Sequence, residues 1–134
     1  IPPHMLAMEE SIYRAAIAHS LRSARQNAKN GAVTSMEADL RTARKYELIL
    51  EGEIPEGVEE KIERTGYRRA FENTMAMLLN GISTGSFESV PREIAELRAY
   101  IEKGDIDVNE EYRLHGQLSR RWMNKLLKKV FPKK

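Results

Sequence analysis

The stretch VEEKIERTGYRRAFENTMAML, Val58 to Leu78, decides the fold class. Val58, Ile62, Gly66, Tyr67, Ala70, Phe71, Met75 and Leu78 recur every three or four residues, the spacing that lines up one side of an α-helix. Charged residues fill most of the positions between them as far as Glu72. A half-buried strand needs sustained alternation at every second residue, and no part of the chain has it. Ile54-Pro55 predicts the helix start, because proline is tolerated in a first turn, and Asn80-Gly81 predicts its end. Gly66 in mid-helix costs about 1 kcal/mol relative to alanine, so its presence predicts a close helix crossing.

Toward the N-terminus, Thr34-Ser35-Met36-Glu37 has the form of a capping box. It predicts a shorter helix with Leu40, Ala43, Tyr46, Leu48, Ile49 and Leu50 on its apolar side and Gly52 at its end. Before it, a first helix is expected from about Met8 to Ala28. Ile12, Ala15, Ala16, Leu21, Ala24 and Ala28 would form its inner face, and Asn30-Gly31 its left-handed cap. Ile1 to His4, ahead of Met5, reads as an expression scar, which leaves residues 5–134 as one domain.

Toward the C-terminus, Ile82 to Ser89 is the longest connection. Pro91 opens a short helix bearing Ile94, Leu97, Tyr100 and Ile101, closed by Gly104. Asp107-Val108-Asn109-Glu110 is a second capping box, predicting a last helix over about 108–131. The expected architecture is all-α: a compact bundle of about five helices, long, short, long, short, long. Glu51-Gly52-Glu53-Ile54 is echoed by Lys103-Gly104-Asp105-Ile106, which raises two related helical hairpins packed on the first helix.

The last helix, EEYRLHGQLSRRWMNKLLKKVF from Glu110 to Phe131, has two unlike faces. Arg121, Lys125, Lys128 and Lys129 form a basic stripe. Trp122, Met123, Leu126, Leu127, Val130 and Phe131 form an apolar one. Residues 113–134 hold eight Lys/Arg and no Asp/Glu, whereas residues 1–112 hold fourteen against twenty. The overall charge of +2 therefore combines a −6 body with a +8 end.

The 134 residues are 41% apolar, enough for a core, and 31% charged. With no cysteine there is no disulfide frame, thiolate nucleophile or Cys-ligated zinc. No apolar run approaches the ~18 residues of a membrane span, and a cytoplasmic location is expected.

Chemistry-bearing clusters are sparse. Glu111 and His115 share a helical face, and only His19 could join them, so no metal site is expected. Gly81 to Ser86 could cradle a phosphate but lacks the P-loop ending, so it reads as a connector. Ser20 beside His19 points away from it on a helix, and Glu59, Glu60 and Glu63 read as a solvated face. No catalytic residues and no cofactor are expected. The sequence points to a non-enzymatic interaction or assembly module, oligomeric or a small subunit of a larger complex. Its interface would include Tyr100, Trp122, Leu127, Val130 and Phe131. The alternative is a nucleic-acid-binding accessory protein contacting phosphates through Arg113, Arg120, Arg121, Lys125, Lys128, Lys129 and Lys133. Arg22, Arg25, Arg41, Arg44 and Lys45 would extend that patch if the first two helices lie beside the last.

Overall fold

A computed structural model describes residues 3–108. They form four helices and no strand: α1 Pro3–Asn30, α2 Val33–Leu50, α3 Val58–Ser83 and α4 Val90–Gly104. The proposed last helix, with both its stripes, lies outside the described residues. Among the described residues, no helix is long and apolar enough to cross a membrane.

The chain reverses sharply after α1 because Gly31 adopts φ +73°, a conformation that L side chains resist. The Ala32 N–H then donates to the Asn27 carbonyl at 2.9 Å, which closes the helix end. Asn27 also donates through Nδ2 to Asp39 at 2.8 Å, and Tyr13 stacks on Tyr46 with 5.5 Å between ring centroids. These contacts hold α1 and α2 antiparallel. Tyr67 stacks on Tyr100 at 6.3 Å, holding α3 and α4 antiparallel in the same way. Ala28 lies against Gly66, and Gly31 against Ala70, so α1 and α3 run parallel. The hairpins are thus α1/α2 and α3/α4, joined through α3. The short–long pair expected of α2 and α3 is in contact through Arg44, Glu59 and Glu63 but is not the hairpin, and the pairing expected of α4 with the last helix lies outside the described residues.

The first core cluster joins Ile17, Leu21, Ala24 and Ala28 of α1 to Met36, Leu40 and Ala43 of α2 and to Ile62 and Tyr67 of α3. The second joins Phe71, Met75 and Leu78 of α3 to Leu97 of α4, and Tyr100 packs against both. Gly66 sits where three helices meet. A Cβ there would overlap the Met36 sulfur and come within 3.4 Å of the Ala28 Cα, so the close crossing expected from the sequence is present.

Several boundaries differ from expectation for identifiable reasons. α2 begins at Val33 with Ala32 as its N-cap and no side-chain cap bond. Thr34 and Glu37 therefore do not form a capping box; the Glu37 carboxylate accepts from the Tyr67 hydroxyl instead. α3 begins at Val58 and not at Pro55, because Gly57 turns left-handed at φ +85° and breaks the helical path; the Ile54 N–H before it donates to Glu47 Oε2 at 2.7 Å. It continues past Gly81 to Ser83. α1 starts at Pro3, so Pro3-His4, set aside as a scar, are helical. Glu51 and Asp105 are both left-handed residues ending a helix, at φ 56° and 48°. One precedes its glycine and the other follows it, so the sequence echo is out of register with the cap geometry.

Four residues assigned to apolar inner faces are exposed: Ile12, Ala15, Leu48 and Ile49. Val58, where α3 begins, lies beside Arg25 and Ala28. The first turns of α1 thus extend past the start of α3 and have the end of α2 and the connector beside them.

Gly66→Ala is expected to cost about 1–3 kcal/mol through overpacking, against the ~1 kcal/mol that alanine contributes by propensity. Met36→Ala alone opens a cavity and costs roughly 2–5 kcal/mol. Combining the two should cost clearly less than their sum, since the new methyl enters the space the sulfur left. Urea midpoints of the four proteins measure this, and strict additivity would refute the crossing.

Candidate functional site

The residues expected to contact phosphate, Arg113, Arg120, Arg121, Lys125, Lys128, Lys129 and Lys133, lie outside the described residues. So do Trp122, Leu127, Val130 and Phe131 of the expected interface, and Glu111 and His115. Tyr100 is described and half-buried, with its ring on Tyr67. Its aromatic face is engaged within the chain.

The Gly81–Ser86 loop directs its backbone donors inward. Thr84 N–H bonds the Asn80 carbonyl at 3.1 Å, Gly85 N–H that of Ile82 at 3.2 Å and Ser86 N–H that of Gly81 at 2.7 Å. These groups satisfy the end of α3 and leave no anion cradle. His19 is exposed while Ser20 is buried, so the adjacent pair does not converge. Among the described residues, no three His, Asp or Glu side chains group as metal ligands.

The densest polar cluster bridges α2, α3 and α4. The Tyr67 hydroxyl donates to Glu37, whose Oε1 also lies 3.7 Å from Lys103 Nζ. The same ammonium sits 5.8 Å from the Tyr67 ring centre, within cation–π range. Two helical turns further along α2, Arg44 donates through Nε to Glu59 at 2.7 Å and through Nη2 to Glu63 at 2.9 Å. Glu59 and Glu63, expected as a solvated face, instead clamp α2 to α3 through that guanidinium. Glu37, Leu40, Arg41, Arg44, Glu63 and Tyr67 line a depression of about 330 Å³.

Its electrostatics are those of a latch. Burial, and then the Glu37 carboxylate, pushes the Tyr67 hydroxyl above the ordinary phenol range. Burial likewise raises Tyr100, with Glu96 and Glu37 adding to it. The hydrogen bond to Glu59 raises Arg44. Each of these shifts moves a group further from neutral pH, the reverse of what acid–base work requires.

Two other surfaces are less satisfied. The first is the overhanging end of the α1/α2 hairpin, where Met5, Leu6, Met8, Ile12, Leu48 and Ile49 are exposed, Met8 by 59% and Leu48 by 81%. Met5, Met8 and Ile12 are spaced i, i+3, i+7 and share one face. Within residues 3–14 and 46–57 stand Glu9, Glu10, Glu47, Glu51, Glu53 and Glu56 against a single guanidinium, Arg14. Arg14 pairs with Glu53 at 3.3 Å and Glu10 at 3.8 Å. This end is apolar and acidic.

The second surface is a groove of about 330 Å³ between α1 and α3. Ala28, Val58 and Ile62 form its floor, and Arg25, Lys29 and Lys61 its rim. Arg14, Arg44, Arg69, Arg92 and Lys103 each have a carboxylate partner. No ion pair is recorded for Arg25, Lys29 or Lys61 among the described residues. Of the cations expected to extend a basic patch, Arg44 is therefore occupied, Arg41 lines the depression, and Arg25 is at the groove.

Signals for both surfaces are present in the sequence, where Arg25 already belongs to the expected basic patch but the groove beside it does not show. Met5-Met8-Ile12 is a second apolar stripe, offset from the core stripe Ile17-Leu21-Ala24-Ala28. Arg22-Arg25-Lys29 is a basic stripe at the same spacing. Comparison of the chain with protein-family models, with curated proteins and with solved structures found no match.

Tyr67→Phe is expected to cost about 1 kcal/mol near pH 8, the ordinary worth of one hydrogen bond. A phenol raised in the folded state contributes stability that is complete below the unfolded pKa of about 10 and is lost as pH rises toward the folded value. The stability gap between wild type and variant should therefore narrow above pH ~10. Urea unfolding from pH 8 to 11 tests this, and a constant gap would contradict the latch.

Proposed function

We propose that this chain is a non-enzymatic assembly module that works through its helical surface, as a homo-oligomer or a small subunit of a larger complex. The observation that carries the reading is the exposed apolar end of the α1/α2 hairpin. A lone exposed leucine is ordinary, but six large apolar side chains at one end of a chain this size call for a cover. The inward-facing polar network and the direction of its pKa shifts support binding over catalysis. The interface expected around Trp122, Leu127, Val130 and Phe131 belongs to the same proposal as a further apolar surface of the chain.

A second reading, contact with nucleic-acid phosphates, is favoured by one observation: residues 113–134 hold eight cations and no carboxylate. Such binding would be largely sequence-independent and steeply salt-sensitive.

Light scattering across a concentration series separates the two readings. Assembly predicts a mass that rises with concentration, and Ile12→Asp should weaken it about tenfold or more while leaving the thermal midpoint within a few degrees. A chain that stays monomeric yet binds duplex DNA, with affinity falling steeply as salt rises, would favour the second reading.

A further inference from the structure

The two unsatisfied surfaces are opposite in charge and alike in having apolar centres. We infer that they are each other's partners in different copies: the acidic, apolar start of α1 in one copy docks into the cation-rimmed groove between α1 and α3 of the next. The inference rests on the assembly reading above and names its partner.

Geometry forbids the match within one copy. Both surfaces ride on α1, with Met5 to Ile12 near its start and Arg25 to Lys29 near its end. At about 1.5 Å per residue they are separated by roughly 20–35 Å along one continuous helix, which cannot fold back on itself. Charge supports the match between copies. Glu9 and Glu51 carry no recorded ion pair among the described residues, and neither do Arg25, Lys29 and Lys61. Joining the surfaces would pair these groups at a rim while Met8 and Ile12 lie against Val58 and Ile62, an apolar centre inside a polar ring. The groove's volume is at the small end for a cofactor site, which spans roughly 300–1,000 Å³, and its lining comes from two parallel helices.

Each copy offers one surface and receives the other, so copies either propagate head to tail or pair reciprocally as an antiparallel twofold dimer, and in both cases every contact joins an end to a groove. That property gives a test. The variant Arg25→Glu/Lys29→Glu spoils the groove and keeps the acidic end. The variant Met8→Asp/Ile12→Asp removes the apolar centre of the acidic end and keeps the groove, and its added carboxylates repel the reversed groove of the first variant. All four positions are exposed, and circular dichroism checks that both variants fold.

Each variant alone should self-associate about tenfold or more weakly than wild type. Mixed in equal amounts, they should form a complex of two chains and no larger, because the mixture retains one intact interface. Several results would overturn the inference. A wild-type chain that is monomeric throughout would remove the assembly reading together with it. Self-association unchanged by the groove variant would remove the groove and leave the assembly reading standing. Loss in both variants without rescue on mixing would mean that the surfaces have separate occupants, the basic 113–134 segment being the evident one for the acidic end.

Discussion

The approach of three helices at Gly66 is the constraint on which the rest of the structure depends. With no Cβ on α3 at that point, Met36 of α2 can fill the space, and the Ala28 backbone of α1 can come within contact distance. Met36 is fully buried as a result, and Ala24, Ala28, Leu40 and Ala43 pack around it almost without exposure. The local propensity lost at a mid-helix glycine is small beside the close packing it permits. The alanines of α1 serve the same end, since only small side chains let helices approach this closely.

From that crossing outward, specificity passes to polar contacts. Arg44 between Glu59 and Glu63 sets how α2 lies on α3, and the group formed by Glu37, Tyr67 and Lys103 adds the end of α4. Exposed ion pairs contribute little individually, so their role here is registry more than strength. Glu47 has a parallel role. By accepting from the Ile54 N–H it ties the end of α2 to the connector that leads into α3.

What the sequence disclosed follows from these scales. The α3 periodicity, Gly31 as a turn and Gly66 as a crossing are local properties of backbone and spacing, and each was legible. Leu48 and Ile49 lie more than ~90° around the helix from the centre of the Met36, Leu40, Ala43 and Leu50 stripe, so their exposure too is readable from spacing, although their apolar character suggests an inner face. Thr34 to Glu37 matched a capping pattern, but a buried tyrosine 30 residues away competed successfully for the carboxylate. Arg44 and Arg25 look alike in sequence; only tertiary placement puts carboxylates beside one and not beside the other. The groove is likewise a property of two helices brought together, invisible in either alone.

The length of α1 has a consequence of its own. A single helix carrying a surface near each end acts as a ruler and a protractor at once. The stretch from Ile12 to Arg25, at about 1.5 Å and 100° per residue and held in place by Ile17, Leu21 and Ala24 in the core, fixes both the spacing and the relative facing of the two surfaces, so the geometry of any array would be written in a residue count. Insertions of seven nearly preserve the relative facing of the two surfaces, whereas insertions of two nearly reverse it.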